Sequence, residues 1–279
     1  MGNLVTNRIN FSRRDEVSGV DAFRDVIAAV TVEPDFTIVT VLRREKEGHR
    51  VHAELDFRVI SAEPEDLLGV RIDRDFEKAL AIVGSNNDYV ALWNERRGQN
   101  QADMPPEMQR TRYSVLAGAR LAGFTSQEML RYGDAHFPEA MEMARRAILA
   151  YEATGSFDQV TWRSKNWGSR AHGEDVAIWM EGGNLVVKFD TVNLAPIGWI
   201  KTMAEILPDF AFHGAAYDAD TDYSVFFVSE EEGQMSWSES DDPEDVFKAR
   251  AQIAGMSVED LKAEQALLNG DDEDDDFDP

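Results

Sequence analysis

Alternating apolar and polar residues mark several segments of the chain as β-strands. Segments of this kind that are rich in β-branched and aromatic residues are typical of half-buried strands. By this criterion, strands are predicted at residues 4–11, 36–42, 52–60, 176–180, 184–191, 210–217 and 224–228. Gly182 and Gly183 separate two of these strands, and a glycine pair at this position predicts a tight hairpin turn.

Apolar residues spaced three and four apart predict helices between these strands. Helices are expected at residues 18–30, 196–207, from 243 and at 257–268, with a helical turn at 64–68. The 196–207 helix has an apolar stripe that we expect to be buried against the strand containing Val187 and Phe189. The stripe consists of Trp199, Ile200, Met203, Ile206 and Leu207, and burial is expected for the first four.

Residues 74–152 have a different composition and predict a helical insert. They are rich in Ala, Met, Arg, Glu and Leu, with apolar residues at helical spacing. Thr125 and Glu128 have the spacing of a capping box, which marks a helix start. Helices are expected at residues 76–83, 108–122 and 138–151.

The order of these segments predicts an α+β fold with a mainly antiparallel sheet and helices on one face. The helical insert interrupts the sheet domain, and further helices follow it. The predicted divisions are an α+β domain at 1–73 and 153–229, the insert at 74–152, C-terminal helices at 230–270 and a disordered acidic tail at 271–279.

Composition supports an ordinary buried core and excludes several chemistries. The chain has 279 residues, of which 43% are hydrophobic and none is cysteine. Disulfides, thiolate metal sites and a cysteine nucleophile are therefore excluded. No apolar run is long enough to span a membrane, and no apolar signal segment opens the printed sequence. We expect a cytoplasmic protein with no membrane partner.

Negative charge is concentrated near the C-terminus. The formal net charge is −25, and residues 230–279 contain 18 Asp and Glu against 3 Lys and Arg. A block of like charges does not pack, so the last nine residues predict a solvated arm. This arm either engages a basic partner, competes for a basic site on its own protein or keeps the protein in solution. Its candidate interaction residues are Asp271, Asp272, Glu273, Asp274, Asp275, Asp276, Phe277 and Asp278.

Four segments, in this order, resemble the YubB-type family encoded on conjugative plasmids and phages. Residues 3–9 resemble an Asn-Trp-Cys-x-Asn-Arg-Leu opening, and residues 55–67 a strand followed by Met-Pro-Glu-Glu-Leu. Residues 162–169 resemble Asn-Trp-Gly-Thr-Lys, and residues 189–196 resemble Phe-x-Thr-Ala-Trp-Ser-Pro-Pro. The resemblance implies a ferredoxin-like domain and an origin on a mobile element. It implies no particular chemistry.

The most basic aromatic stretch of the chain is residues 162–172. Its cations can meet phosphates while its two tryptophans stack on bases, as in single-strand binders. The alternative is that both tryptophans anchor a loop on the core, because Trp usually contributes buried area first. The candidate binding residues are Trp162, Arg163, Lys165, Asn166, Trp167 and Arg170.

Catalytic and cofactor motifs are missing from the sequence. There is no HExxH helix, GxxxxGK[ST] loop or GxGxxG loop, so no catalytic residue, metal or cofactor is predicted. His213 is a lone histidine, which is more often structural than catalytic. Carboxylates that would need to converge for a hydrolase or a magnesium site are Asp56, Glu63, Glu65, Asp66 and Asp190.

Three function hypotheses follow from these observations. The leading one is a non-enzymatic phage or plasmid interaction protein whose acidic surface engages a basic, nucleic-acid-handling protein of the bacterial host. One form of it is a DNA-mimicking inhibitor of a defence system. The alternative is a single-stranded-DNA-binding accessory protein whose acidic tail recruits partners. The third is a hydrolase that uses clustered carboxylates.

Overall fold

The computed structural model describes residues 3–15, 19–32, 35–84 and 123–270. The chain divides into two compact units, one formed by Met1–Ala62 with Arg163–Pro279 and the other by Glu63–Trp162. The predicted helix at 108–122 and the acidic tail at 271–279 lie outside the described residues. The domain boundaries drawn from the sequence stay a prediction.

The first unit contains one antiparallel sheet, with strands in the order β2-β3-β4-β1-β5-β6-β7. The strands are β1 Leu4–Arg13, β2 Val51–His52, β3 Glu174–Glu181, β4 Asn184–Val192, β5 Phe210–Asp218, β6 Tyr223–Ser229 and β7 Met235–Ser240. Both glycines of the predicted hairpin, Gly182 and Gly183, join β3 to β4 with positive φ angles of 57° and 79°. Two positive φ angles in succession characterise the type I′ turn, which confirms the hairpin.

The described helices are spread over both units. They are α1 Arg24–Val30, α2 Asp35–Arg44, α3 Arg74–Val83, α4 Ser126–His136, α5 Pro138–Thr154, α6 Gln159–Asn166, α7 Ile197–Ile206, α8 Pro243–Ala254 and α9 Val258–Gly270. Short 3-10 turns occur at Val20–Phe23, Phe57–Val59, Glu65–Leu67 and Glu231–Gly233.

The α+β fold is confirmed, and its core has the ferredoxin-like topology. In chain order the core elements are β1, α1, β3, β4, α7 and β5, a βαββαβ unit. In the sheet these four strands lie in the order β3-β4-β1-β5, and every neighbouring pair is antiparallel. The remaining strands extend the sheet at both edges.

The two helices of the core unit lie on one face of the sheet, as predicted. Side chains alternate between faces along a strand, so Ile9 and Phe11 share this face while Arg8 and Asn10 point to the other. Phe11 contacts Phe212, with ring centroids 5.5 Å apart. The additional helix α8 packs on the opposite face, over β5, β6 and β1.

The main core forms where α7 meets the sheet. Trp199, Ile200 and Met203 are fully buried, as predicted. The indole of Trp199 stacks on Phe57 at 4.5 Å and meets Phe189 edge-on at 6.0 Å. The prediction for Ile206 is wrong, because its side chain is 46% exposed at the end of the helix.

The prediction of a strand at residues 36–42 is wrong, since this segment belongs to α2. The run of β-branched residues favours a strand by intrinsic propensity, which is a weak preference. Ile38, Val39 and Leu42 are spaced so that all three are buried on one helical face, and α2 packs against α1. Tertiary packing therefore overrides the β propensity of the segment.

The prediction of a strand at residues 52–60 is also wrong for most of this segment. Only Val51–His52 pair with β3, and Leu55 forms an isolated bridge with Thr31. The carboxylate of Asp56 then accepts a hydrogen bond from the backbone N–H of Arg58 at 2.8 Å. Local hydrogen bonding of this kind turns the backbone away from a strand.

The second unit is helical in its described part. The side chains of Phe76 and Leu80 on α3 are buried together with Met141 and Ala144 of α5. Thr125 caps α4 in a complete capping box with Glu128, as predicted. A helical turn is found at Glu65–Leu67 and a helix at Pro138–Thr154, which confirms both predictions in this unit.

Strand β7 was missed by the sequence analysis. It lies within residues 230–270, for which only helices are predicted. The segment Met-Ser-Trp-Ser-Glu-Ser has no run of apolar residues and is mostly exposed. Its alternation is weak because an edge strand buries little on either face.

Candidate functional site

The predicted binding segment 162–170 runs from α6 into the following loop. Trp162 belongs to the second unit, and Arg163 onward belong to the first. The side chain of Trp162 is only 8% exposed. Trp167 is fully buried, and its indole N–H donates to the backbone carbonyl of Ser61 at 3.0 Å.

The surroundings of Trp167 leave neither ring face open to a base. Phe57 meets the indole edge-on with centroids 5.4 Å apart, and the Arg163 guanidinium lies 5.3 Å from its centre. Stacking on a nucleic-acid base needs an exposed aromatic face. The geometry therefore favours the interpretation in which Trp167 anchors the loop on the core.

Backbone contacts tie the same loop to the start of α7. The N–H of Trp199 donates to the carbonyl oxygen of Trp167 at 3.1 Å, which satisfies one of the unpaired amides of the helix N-terminus. Gly198 allows this approach, because a Cβ atom there would overlap the carbonyl oxygen of Asn166. Gly168 has a φ of 85°, and a Cβ atom there would lie 2.7 Å from the carbonyl oxygen of Ala195.

The cations of the segment are placed differently from one another. Arg163 is half-buried over Trp167, whereas Lys165 and Arg170 are exposed. Asn166 is half-buried and contributes its backbone to the contact with α7. A binding role for these residues stays a prediction, and Lys165 and Arg170 are the members with accessible charge.

The candidate carboxylates are distributed over different parts of the chain. Asp56 is 2.5 Å from the guanidinium of Arg58. Burial opposes the shift, but hydrogen bonds from Arg58 hold the pKa of Asp56 below its usual range, which weakens it as a base. Glu63, in the second unit, accepts from Gln159 at 2.6 Å. Among the described residues, no group of three or more His, Cys, Asp or Glu side chains is placed to hold a metal ion.

His213 lies on β5, on the face that also carries Arg8. Its Nε2 is 3.4 Å from the amide nitrogen of Asn10. Partial burial and then the charge of Arg8 lower the pKa of His213. The imidazole is therefore neutral near pH 7 and adds no charge to this face.

Strand pairing builds an acidic surface that the sequence analysis did not locate. Ser224 of β6 pairs with Ser240 of β7, so the turn before β6 and the turn after β7 lie at the same end of the sheet. Both turns are rich in exposed carboxylates. We call this surface the acidic end, and its members are Asp220, Asp222, Asp241, Asp242 and Glu244.

Two tyrosines beside the acidic end have raised pKa values. Burial and then a hydrogen bond to the carboxylate of Glu239 raise the pKa of Tyr223 well above its usual range. Burial, together with Asp222 and Asp218, also raises the pKa of Tyr217, against the influence of Arg250. Both phenols therefore stay protonated and act as hydrogen-bond donors to carboxylates.

A second feature missed by the sequence analysis is a set of cations on the sheet. Arg8 is paired with Glu181 at 2.7 Å. The guanidinium groups of Arg8 and Arg50 both lie over the ring of Trp179, 5.3 Å and 5.0 Å from its centroid. These residues come from β1, the loop before β2 and β3, so their proximity depends on the sheet order.

No family model matches the chain, and no curated protein matches it. Among solved structures, the chain is similar to the crystal structure of a protein api92 from Yersinia pseudotuberculosis, of family model DUF1281, with 9% identity and a TM-score of 0.34. The match covers 86% of this chain and 98% of that chain. A TM-score of 0.34 is too low to assign a shared fold.

Within the part of the chain that the structure describes, none of the helices is both long and apolar enough to cross a membrane.

Proposed function

We propose that this chain is a non-enzymatic interaction protein of a phage or plasmid, whose acidic surface binds a basic, nucleic-acid-handling protein in the cytoplasm of the bacterial host. The observation that carries the proposal is the acidic end. The pairing of Ser224 with Ser240 brings two carboxylate-rich turns together on a rigid sheet. A fixed array of negative charge is what a DNA-mimicking inhibitor needs to present to a basic cleft.

The local charge balance supports an electrostatic mode of binding. Residues 230–270 contain 11 Asp and Glu against 3 Lys and Arg. Lys248, one of these cations, is already within 3.2 Å of both Glu244 and Asp245. The excess of carboxylates attracts a basic protein over about 10 Å at 0.1 M salt. Binding by this surface is therefore expected to be fast and to weaken as salt is added.

The proposal is tested by capture of host proteins on the immobilised full-length chain. Lysate of the bacterial host is treated with nuclease, and the retained proteins are identified at low and at high salt. We expect basic nucleic-acid-binding proteins that survive nuclease treatment and elute with salt. Double-stranded DNA should compete with the chain for the captured protein, because a mimic occupies the same cleft.

A matched pair of variants assigns the binding to the acidic end. The first carries Asp220→Asn, Asp222→Asn and Asp241→Asn. The second removes the same charge from exposed positions elsewhere in the first unit: Glu54→Gln, Glu174→Gln and Glu205→Gln. We expect at least tenfold weaker capture by the first and little change with the second. Equal losses in both would mean that only net charge matters, and the acidic end would have no specific role.

The same experiment separates the proposal from the single-strand-binding alternative. Proteins retained only without nuclease would be bridged by nucleic acid, and that result would contradict the proposal. Fluorescence anisotropy with a labelled oligonucleotide provides the second readout, on the full chain and on a chain ending at Gly270. Binding that strengthens after the tail is removed would favour the single-strand binder, because a competing polyanion has been taken away.

A further inference from the structure

Two cations face each other directly across the centre of the sheet. In the antiparallel pair of β1 and β4, Arg8 is opposite Lys188. Residues at opposite positions project from the same face with Cβ atoms about 5 Å apart, and like charges in this arrangement are destabilising. An apolar residue at either position would avoid this repulsion. The fold therefore keeps an unfavourable pair at a central position.

Only part of this positive charge is neutralised by the protein. Arg8 is 4% exposed, and its guanidinium donates to Glu181 at 2.7 Å and to the side-chain oxygen of Asn10 at 3.3 Å. The other carboxylate oxygen of Glu181 accepts from the Trp179 indole N–H at 2.8 Å. Glu181 is thus committed to holding Arg8 in place, and the carboxylate that acts on Lys188 is Asp190, two residues along the same strand.

Arg50 adds a third cation to the same face. It precedes β2, in which Val51 pairs with Ile178, so Arg50 falls beside Trp179 and its guanidinium lies over that ring. Among the described residues, no carboxylate oxygen comes within ion-pair distance of Arg50 or Lys188. Burial, followed by the charge of Arg50, lowers the pKa of Lys188, and Asp190 opposes this only in part.

We infer that Lys188, Arg50 and the fixed guanidinium of Arg8 form a binding site for a phosphate group. A phosphate group has about two negative charges and three acceptor oxygens, which suits three converging cationic donors. Its binding would offset the repulsion between Lys188 and Arg8. The exposed Arg50 and the half-buried Lys188 can reach a ligand from solvent. The guanidinium of Arg8 is buried beside them and adds its positive charge to the site.

The charge of the whole chain selects between sources of phosphate. A net charge of −25 repels a long polyanion along its whole length, whereas a small ligand meets only the local field. We therefore assign the site to the phosphate of a small molecule, such as a mononucleotide. Three probes distinguish the possible sources of the phosphate group. They are inorganic phosphate, adenosine monophosphate and a thymidine oligonucleotide of eight nucleotides.

The test is calorimetric titration of the full-length chain with each probe. We expect adenosine monophosphate to bind with heat that falls at higher salt. Arg50→Gln and Lys188→Met should each weaken binding at least tenfold. Lys201→Met removes one cation from an exposed position on α7 and should change the affinity less than twofold. Because Arg50 is exposed, its substitution tests the site without a risk of unfolding.

Thermal unfolding provides a second, independent readout. Without ligand, Lys188→Met should melt at the same temperature as the parent or higher, because the like-charge pair is removed. With phosphate present, the rise in melting temperature seen for the parent should disappear. Tighter binding of the oligonucleotide than of the mononucleotide, with the same loss in both variants, would keep the phosphate site but overturn the assignment to a small ligand. Absence of binding by all three probes, or binding unaffected by both variants, would overturn the site itself.

Discussion

The two faces of the central strands differ in what determines their residues. On the face covered by α1 and α7, Ile9 and Phe11 of β1 are fully buried, and their cross-strand partners are Val187, Gly214, Leu185 and Phe212. On the other face the same strand presents Arg8, which is nearly as buried but carries a charge. Burial is therefore similar on the two sides of β1, and the chemistry is opposite.

This difference shows that two separate requirements act on one strand. The inner face follows the rule that apolar area leaves water, so its residues are interchangeable within limits of volume. The outer face depends on which residues the strand order places side by side. Arg8 is far in the sequence from Lys188 and Glu181, and it meets them only because β1 is a neighbour of the β3–β4 hairpin. Substitutions on the two faces should therefore have effects of different size and different origin.

The largest effect is expected for Trp199→Ala on the inner face. The indole is fully buried and stacks on Phe57 at 4.5 Å. Truncation of a large aromatic residue leaves a cavity and costs about 3–5 kcal/mol. The loss is measured as the free energy of unfolding in urea. The control is Ile206→Ala on the same helix, which should cost less than about 1 kcal/mol because Ile206 is half exposed. Similar losses in the two variants would mean that the helix is rotated from its described position.

The next largest effect is expected for Gly198→Ala, at the start of α7. An added Cβ atom would overlap the backbone of Asn166, and backbone moves less readily than a side chain. Overpacking of this kind costs about 1–3 kcal/mol. The control is Gly48→Ala, where φ is 84° but no atom lies within 4 Å of the new Cβ. Its cost of about 1 kcal/mol reports backbone strain alone. If Gly198→Ala were as stable as the parent, the contact between the loop and α7 would not be tight.

The sequence predicts the inner face well and the outer face poorly. Alternation and helical spacing depend on neighbours in the chain, so they locate β1, the β3–β4 hairpin and the buried stripe of α7. They fail at residues 36–42, where packing of Ile38 and Leu42 against α1 decides the structure. They also fail at β7, since an edge strand has little buried surface to produce a pattern.

The candidate site depends even more on information that is absent from local sequence. The basic segment around Trp167 is conspicuous as a pattern, yet the structure buries its indole. The Arg8–Lys188 pair has no sequence signal, because 180 residues separate its members. A signal appears only after the strand order is known, when a cation on β1 can be matched with its partner on β4. The acidic end likewise needs the pairing of β6 with β7.

A smaller effect is expected for Glu181→Gln on the outer face. The substitution removes the counter-charge of a buried guanidinium that already faces Lys188. Because the Glu181 side chain is 48% exposed, solvent screening reduces the loss to about 1–2 kcal/mol. The control is Glu174→Gln at the exposed start of β3, which should stay within about 0.5 kcal/mol of the parent. Equal stability of Glu181→Gln and the parent would show that Arg8 does not need this partner.

The effect of Glu181→Gln should depend on pH in a defined direction. Burial opposes the shift, but hydrogen bonds from Trp179 and Arg8 and the charge of Arg8 lower the pKa of Glu181 in the folded state. A lowered carboxyl pKa contributes stability that is present above its unfolded value of about 4.3 and is lost as the pH falls through the folded value. The difference between parent and variant should therefore be constant from about pH 6 to 8, begin to shrink as the pH falls towards about 4.3, and disappear only below the lowered pKa of the folded state. Urea unfolding at several pH values measures it.

The smallest effects are expected at the acidic end, where two adjacent aspartates should behave differently. Asp242 caps α8 by accepting from the backbone N–H of Glu244 at 2.8 Å. Asp242→Ala should cost about 1 kcal/mol, because loss of a cap leaves a helix amide unpaired. Asp241 is exposed and adds to the crowded charge. Asp241→Ala should change stability by less than about 0.5 kcal/mol, in the stabilising direction.

In about 1 M salt the small gain from Asp241→Ala should vanish, since the Debye length falls to about 3 Å. The loss from Asp242→Ala should persist, since a hydrogen bond acts at short range. If both effects disappeared in salt, Asp242 would contribute only charge and α8 would begin without a cap.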